Sequence, residues 1–138
     1  MFLGIKKISK HISYKEGIRS STAKRLDIDN APSDYHLSNM EVIAENIFEP
    51  LRKWAGGAIR IKSQHCEGRA IDIDDTFGHK TNAEMYNYIK DNLDFDQMIW
   101  EFGDDKNPDW VHVSYVSEES NRSRCLKAYK ENGKTKYK

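Results

Sequence analysis

Two histidines and an aspartate frame the chemistry open to this chain. In "SQHCEGRAIDID" (63–74) His65 stands seven positions before Asp72, and "WVHVSY" (110–115) carries His112. Read as extended strands, these stretches sort their residues by face, because side chains alternate along a strand. Ala70, Asp72 and Asp74 share one face, and Ile71 and Ile73 the other. Trp110, His112 and Ser114 likewise oppose Val111, Val113 and Tyr115. Each strand offers an apolar face to a core and one face with a candidate ligand. Were the two strands neighbours, Asp72 and His112 could join His65 from the preceding loop. Two imidazoles and a carboxylate are the donors of a hydrolytic zinc site whose fourth position stays open to water. The same residues have plainer roles, the acids on the solvated face of an edge strand and the histidine packed within a strand. Spacing alone leaves both readings open, since His-to-Asp at seven is less specific than a helical His-x-x-x-His pair.

The elements that must hold these residues are legible in outline. Residues 7–37 are polar and irregular, with "NAPSDYH" reading as loop. Ser38 or Asn39 can cap a helix running to about Ala55, its apolar positions Met40, Ile43, Ala44, Ile47, Leu51 and Trp54 at helical spacing. Pro50 should kink it, and Gly56-Gly57 should end it. "AIRIK" alternates as a strand, a loop follows from Ser63 to Gly68, and "RAIDID" alternates again. Thr81 or Asn82 can cap a second helix, "AEMYNYIKDNL". "DQMIWEF" and "WVHVSYV" read as two strands joined by the polar loop "GDDKNPD". "CLKAYKENGKTKY" reads as a strand or as a hairpin around Asn132-Gly133. Helix, strands, helix and strands with short connections predict an α+β fold with a mainly antiparallel sheet and helices on one face.

Size and charge bound the rest. The 138 residues predict one catalytic domain spanning 1–138, with an irregular N-terminal segment over 1–37 and a basic tail at 130–138. Lysine plus arginine balances aspartate plus glutamate at 22 each, which gives no electrostatic case for nucleic acid as the main partner. Cys66 and Cys125 do not make a disulfide framework. "MFLGIKKISKH" is too quickly charged for a secretory signal, and no stretch has the length of a membrane span. Synthesis in the cytoplasm as a monomer is the expectation.

"SQHCEGRAIDID" resembles the Ser-x-His-x-x-Gly-x-Ala-x-Asp signature of the zinc DD-peptidases, which include D-alanyl-D-alanine carboxypeptidases, dipeptidases, phage endolysin peptidases and, by fold, the hedgehog signalling domain. Ser63, His65, Gly68, Ala70 and Asp72 fill the signature. "WVHVSY" resembles the family's closing strand. "FDQMIWEFG", "SSTAKRLDIDNAP" and "NIFEPLRKWAGG" resemble the phage and prophage branch, so the likeness runs from about residue 13 to 130. It implies the hedgehog-like fold, a Zn²⁺ held by His65, Asp72 and His112, and hydrolysis of peptidoglycan stem peptides by a carboxypeptidase or an endopeptidase. Small residues at Gly68 and Ala70 would let the backbone pass close to the metal. Asp74, Ser63 or Ser114 could orient the imidazoles.

Zinc lowers the pKa of its water, and a carboxylate must still relay the proton. Carboxypeptidase members place a glutamate three residues before the last histidine, where this chain has Asp109. In the hedgehog-like arrangement the acid ends the preceding strand, which here is Glu101. Glu101 is favoured, because glutamate reaches further and Asp109 follows a proline in a polar loop.

Many relatives insert a Ser-Gly-Tyr-Arg-type loop before the histidine signature, whose arginine can bind a substrate carboxylate. This chain passes directly from "AIRIK" to "SQHCEG". Arg60 is the expected substitute, Arg69 the alternative, and Trp110 is expected to line the cleft. Cys66 is a further soft donor by type; His79 reads as a turn residue, His11 and His36 as exposed, and Phe48, Trp54 and Trp100 as core. The resemblance places action at the cell wall, reached with a holin-type partner or inside a virion. A non-catalytic zinc-containing binding module of the same fold is the competing expectation.

Overall fold

A computed structural model describes residues 7–13, 34–64 and 68–138. Two short strands, β1 (Lys7–Ser9) and β2 (Ile12–Ser13), form a small hairpin. A helical run follows, made of α1 (Asp34–Ile43), a π-helical turn over Ala44–Phe48 and α2 (Glu49–Ala55). Strands β3 (Arg60–Gln64) and β4 (Ala70–Asp74), helix α3 (Asn82–Asn92), and strands β5 (Gln97–Glu101), β6 (Trp110–Ser114), β7 (Arg124–Glu131) and β8 (Lys134–Tyr137) complete the order.

The helical run begins at Asp34, ahead of the expected cap, so part of "NAPSDYH" is helix. Pro50 acts through hydrogen bonding rather than a break. It has no N–H to give, and the preceding turn widens to π geometry, with Glu49 N–H bonding Ala44 O. Asn46 Nδ2 donates to Val42 O at 2.8 Å within the same stretch. α3 starts where the sequence allowed: the Thr81 side chain accepts from Glu84 N–H, and Glu84 returns a bond to Thr81 N–H.

The large sheet runs β3-β4-β6-β5-β7-β8. It is mixed, which corrects the expectation of a mainly antiparallel sheet, because β7 lies parallel to β5. After β6 the chain crosses to the far side of β5 through 115–123. The crossing is held there by Ser123 N–H on Phe95 O (3.1 Å), Arg124 N–H on Asp96 O (2.9 Å) and the Arg122 guanidinium on the Asp96 carboxylate. At the far edge Asn132 and Gly133 adopt φ of 53° and 76°, the pair of left-handed residues that a tight two-residue hairpin turn requires.

Strand parity builds the core. Ile61, Ile71, Ile73, Val111, Val113 and Met98 are buried with Met40, Ile43, Ile47, Phe48 and Leu51 of the helical run and Met85 and Ile89 of α3. Each such side chain contributes about 1.5–3 kcal/mol of burial. The helices thereby cover one face of β3, β4, β6 and β5, and the alternate residues of those strands line the other.

Candidate functional site

On that other face β4 and β6 pair antiparallel, with Asp72 directly opposite His112 and Ala70 opposite Ser114. His112 Nδ1 and Asp72 Oδ1 are 3.1 Å apart, and the two side chains retain 15 % and 14 % of their exposure. Both are thus largely withdrawn from water yet reachable from one side. β5 continues the face on the far side of β6: Ile99 lies opposite His112, and Glu101 opposite Trp110. Glu101 is diagonal to His112, a separation of about 7–8 Å between backbones that a glutamate side chain can span. It is 9 % exposed. Asp109 precedes β6 and is exposed; its N–H donates to Glu101 O at 2.9 Å.

β3 closes the face on the other side. Arg60 pairs with Asp74, Ile61 with Ile73 and Ser63 with Asp72, so Lys62 is an extra residue in a β-bulge. Ser63 is therefore strand, not the start of a loop. Arg60 is exposed opposite Asp74. The Lys62 ammonium sits 3.3 Å from the centre of the Trp110 ring, and Phe102 meets that ring edge-on at 5.7 Å. Arg69 shares the parity of Ile71 and reaches the Tyr35 hydroxyl of α1, on the helix side of the sheet.

His65 and Cys66 lie outside the described residues. Within them no three His, Cys, Asp or Glu side chains are grouped so as to hold a metal ion. The two described donors suit zinc in type, a carboxylate oxygen and an imidazole nitrogen on adjacent strands of a rigid sheet. Of the acids and hydroxyls considered as orienting groups, Ser114 serves the backbone, accepting Gln97 N–H at 3.0 Å. Asp74 accepts from Asn82 at 2.9 Å. Ser63 alone stands in register with Asp72.

Asn82 is the residue that sequence reasoning undervalued. It is 5 % exposed at the first turn of α3, and its Nδ2 faces Asp74 Oδ1, Pro108 O (3.2 Å) and Asp109 O (3.1 Å). Its Oδ1 accepts Asp75 N–H at 2.7 Å. One amide thus ties the end of β4 to the entry of β6, fixing the strands that carry Asp72 and His112. The only signal was an asparagine beside a cap, and its acceptors lie far along the chain.

Gly68 is held small by a contact with α1. Its φ is +73°, and a Cβ there would stand 2.4 Å from His36 O of α1. His36, expected at the surface, is 7 % exposed beneath it. His11, also expected exposed, is half-buried: its ring pairs with Glu49, and its N–H donates to Glu49 Oε2 at 3.0 Å. Ser9 Oγ donates to the same carboxylate. These bonds outweigh burial, which alone would raise it, and hold the Glu49 carboxyl below its usual range. His79 lies exposed against Gly57.

A scan against protein-family models, a search of curated proteins and a search of solved structures each found no match to this chain. No described helix is long and apolar enough to cross a membrane.

Proposed function

We propose that the chain is a zinc-dependent peptidase that hydrolyses amide bonds in the stem peptides of bacterial peptidoglycan, with a hedgehog-like arrangement of its site. The observation that carries the reading is the meeting of Asp72 and His112 across β4 and β6, on a face that also holds Glu101. His65, two residues beyond Ser63 in the sequence, is the third donor in this reading.

When bound, zinc supplies Lewis-acid polarisation of the scissile carbonyl and acidifies the attacking water. Glu101 Oε takes the proton from that water and delivers it to the departing amine nitrogen. Burial of Glu101 favours this work over the exposed Asp109, because a carboxylate out of bulk water keeps its proton in the site. In this reading the protein acts as a monomer on the cell wall, reaching it with a holin-type partner or within a virion.

Incubation with purified peptidoglycan, with zinc or with chelator, and mass analysis of released peptides tests the reading. Chelator-sensitive release is expected; bound metal without product across several wall types would instead favour the non-catalytic binding module. Glu101→Gln should lower turnover by about 10²–10⁴-fold while the protein still binds zinc. Asp109→Asn should leave turnover within a few-fold; the reverse pattern would move the proton relay to Asp109.

A further inference from the structure

We infer that the β7–β8 hairpin docks a linear polyol phosphate, a base-free phosphodiester polymer of the poly(glycerol phosphate) kind, along Lys134, Lys136 and Lys138. The surface stands apart from the peptidase reading, because these lysines lie on the sheet face opposite to Asp72 and His112. Charge is unevenly spread in this neutral chain. Residues 124–138 hold Arg124 and five lysines against the single acid Glu131, so the rest of the chain carries a matching excess of acid.

Strand register gathers the row. Lys127 of β7 stands beside Trp100, on the core side of the sheet. β8 continues that side, with Lys134 opposite Glu131, Lys136 opposite Tyr129, and Lys138 bonded to Lys127 through N–H and carbonyl alike. β8 is the outermost strand, and all of it is exposed. Among the described residues no ion pair engages Lys134, Lys136 or Lys138, and the neighbouring Asp105 is taken by Lys127 at 2.6 Å. Like charges so placed repel one another, and a polyanion laid along the strand relieves that repulsion.

Spacing and chemistry select the polymer. Alternate residues of a strand are about 7 Å apart. Successive phosphates joined by a three-carbon polyol are six single bonds apart, which also span about 7 Å when extended. Each lysine of the row thus meets one phosphate of an extended chain. Single-stranded nucleic acid carries similar charge, but proteins hold it with rings free to stack on its bases. Here the rings along this edge already carry cations. Lys138 lies 5.0 Å from the centre of the Tyr129 ring, and Lys127 and Lys130 lie 5.3 Å from those of Trp100 and Phe102. Tyr137 is 55 % exposed, but it belongs to the alternate side of β8, with Thr135. The row therefore offers charge without a stacking platform, which suits phosphates that bear no bases.

Titration of the full chain with labelled poly(glycerol phosphate) of fixed length, and with single-stranded DNA bearing the same number of phosphates, tests the assignment. The wild type should bind the polyol phosphate more tightly than the DNA, with an affinity that falls about tenfold between about 50 and 200 mM salt. Replacing the row together (Lys134→Gln, Lys136→Gln and Lys138→Gln) should weaken binding by about tenfold or more at low salt. Lys53→Gln, Lys90→Gln and Lys106→Gln together remove the same charge from exposed lysines elsewhere, and should change it by less than about threefold. Lys136→Gln alone should lower the salt slope by about a third, since one contact of the row is lost. This single variant decides the matter should the triple variant self-associate, as an edge strand stripped of its lysines can. Tighter binding of the DNA, equal losses in the two triple variants, or an unchanged salt slope in Lys136→Gln overturns the inference. In the last case the lysines serve only to keep β8 from pairing with other chains. Peptide release plays no part in the readout, so failure of docking and failure of the peptidase reading are separate results.

Discussion

Removing the His112 imidazole or the Asp72 carboxylate takes away one member of a pair that only strand pairing brings together. His112→Ala and Asp72→Ala should each lower zinc affinity and peptide release by about 100-fold or more, with far-ultraviolet circular dichroism unchanged. Metal content per chain, measured after dialysis, checks the first effect independently of the second. Retention of a full zinc equivalent in both variants would place any metal elsewhere. That these two side chains share a face was legible, because alternation in "AIDID" and "WVHVSY" assigns faces without knowing the fold. That they stand opposite one another was not, since register depends on strands separated by α3 and β5. Lys62 shows the same divide: "AIRIK" announces an alternating strand, but neither the bulge nor the neighbouring Trp110 ring has a local signature. Gly68 was singled out correctly as a position that must be small, yet the group crowding it is His36 O of a helix whose start the sequence obscured.

At the scale of elements, α3 is both a core helix and a clamp. Its capping box is written in Thr81 and Glu84, four consecutive positions that any reader of sequence can find. Its clamp is Asn82, whose acceptors at Pro108 and Asp109 come from a loop that folds separately. Asn82→Ala should cost about 3 kcal/mol in denaturant unfolding, because it strands a buried N–H and several carbonyl oxygens at once. It should also lower peptide release, because the entry of β6 would no longer be tied to the end of β4. A loss of stability below about 1 kcal/mol would mean that water replaces the amide in full. Pro50 carries a related lesson. The residue forecast a disturbance in the helix, but only the carbonyls left without donors dictate that the disturbance is a π turn rather than a break.

Across the whole molecule, the least legible feature was the parallel pairing of β5 with β7. Nothing in "DQMIWEF" or "CLKAYKENGKTKY" distinguishes a parallel neighbour from an antiparallel one, and the decision is made by the crossing at 115–123. Asp96 and Arg122 fasten that crossing: Nε and Nη2 meet the two carboxylate oxygens at 2.9 and 3.0 Å. Those hydrogen bonds, more than counteracting burial, hold the Asp96 carboxyl below its usual range. A carboxyl with a depressed folded-state pKa stabilises fully above its unfolded value, near 4, and the contribution is lost as pH falls through the folded value. Asp96→Asn should therefore lower the melting temperature at pH 7 by about 2–6 °C, with the gap from wild type closing below about pH 4. A gap that persists undiminished in acid would show that the amide fails through shape, not charge. Sheet order carries one more consequence. The flank of β5 beside Glu101 is walled by Ala128 of β7, so until β7 has paired the chain bears a bare, adhesive edge along Gln97–Glu101. Pairing of β7 along β5 is thus the folding step at which the sheet covers that edge, with β8 completing the far side of β7.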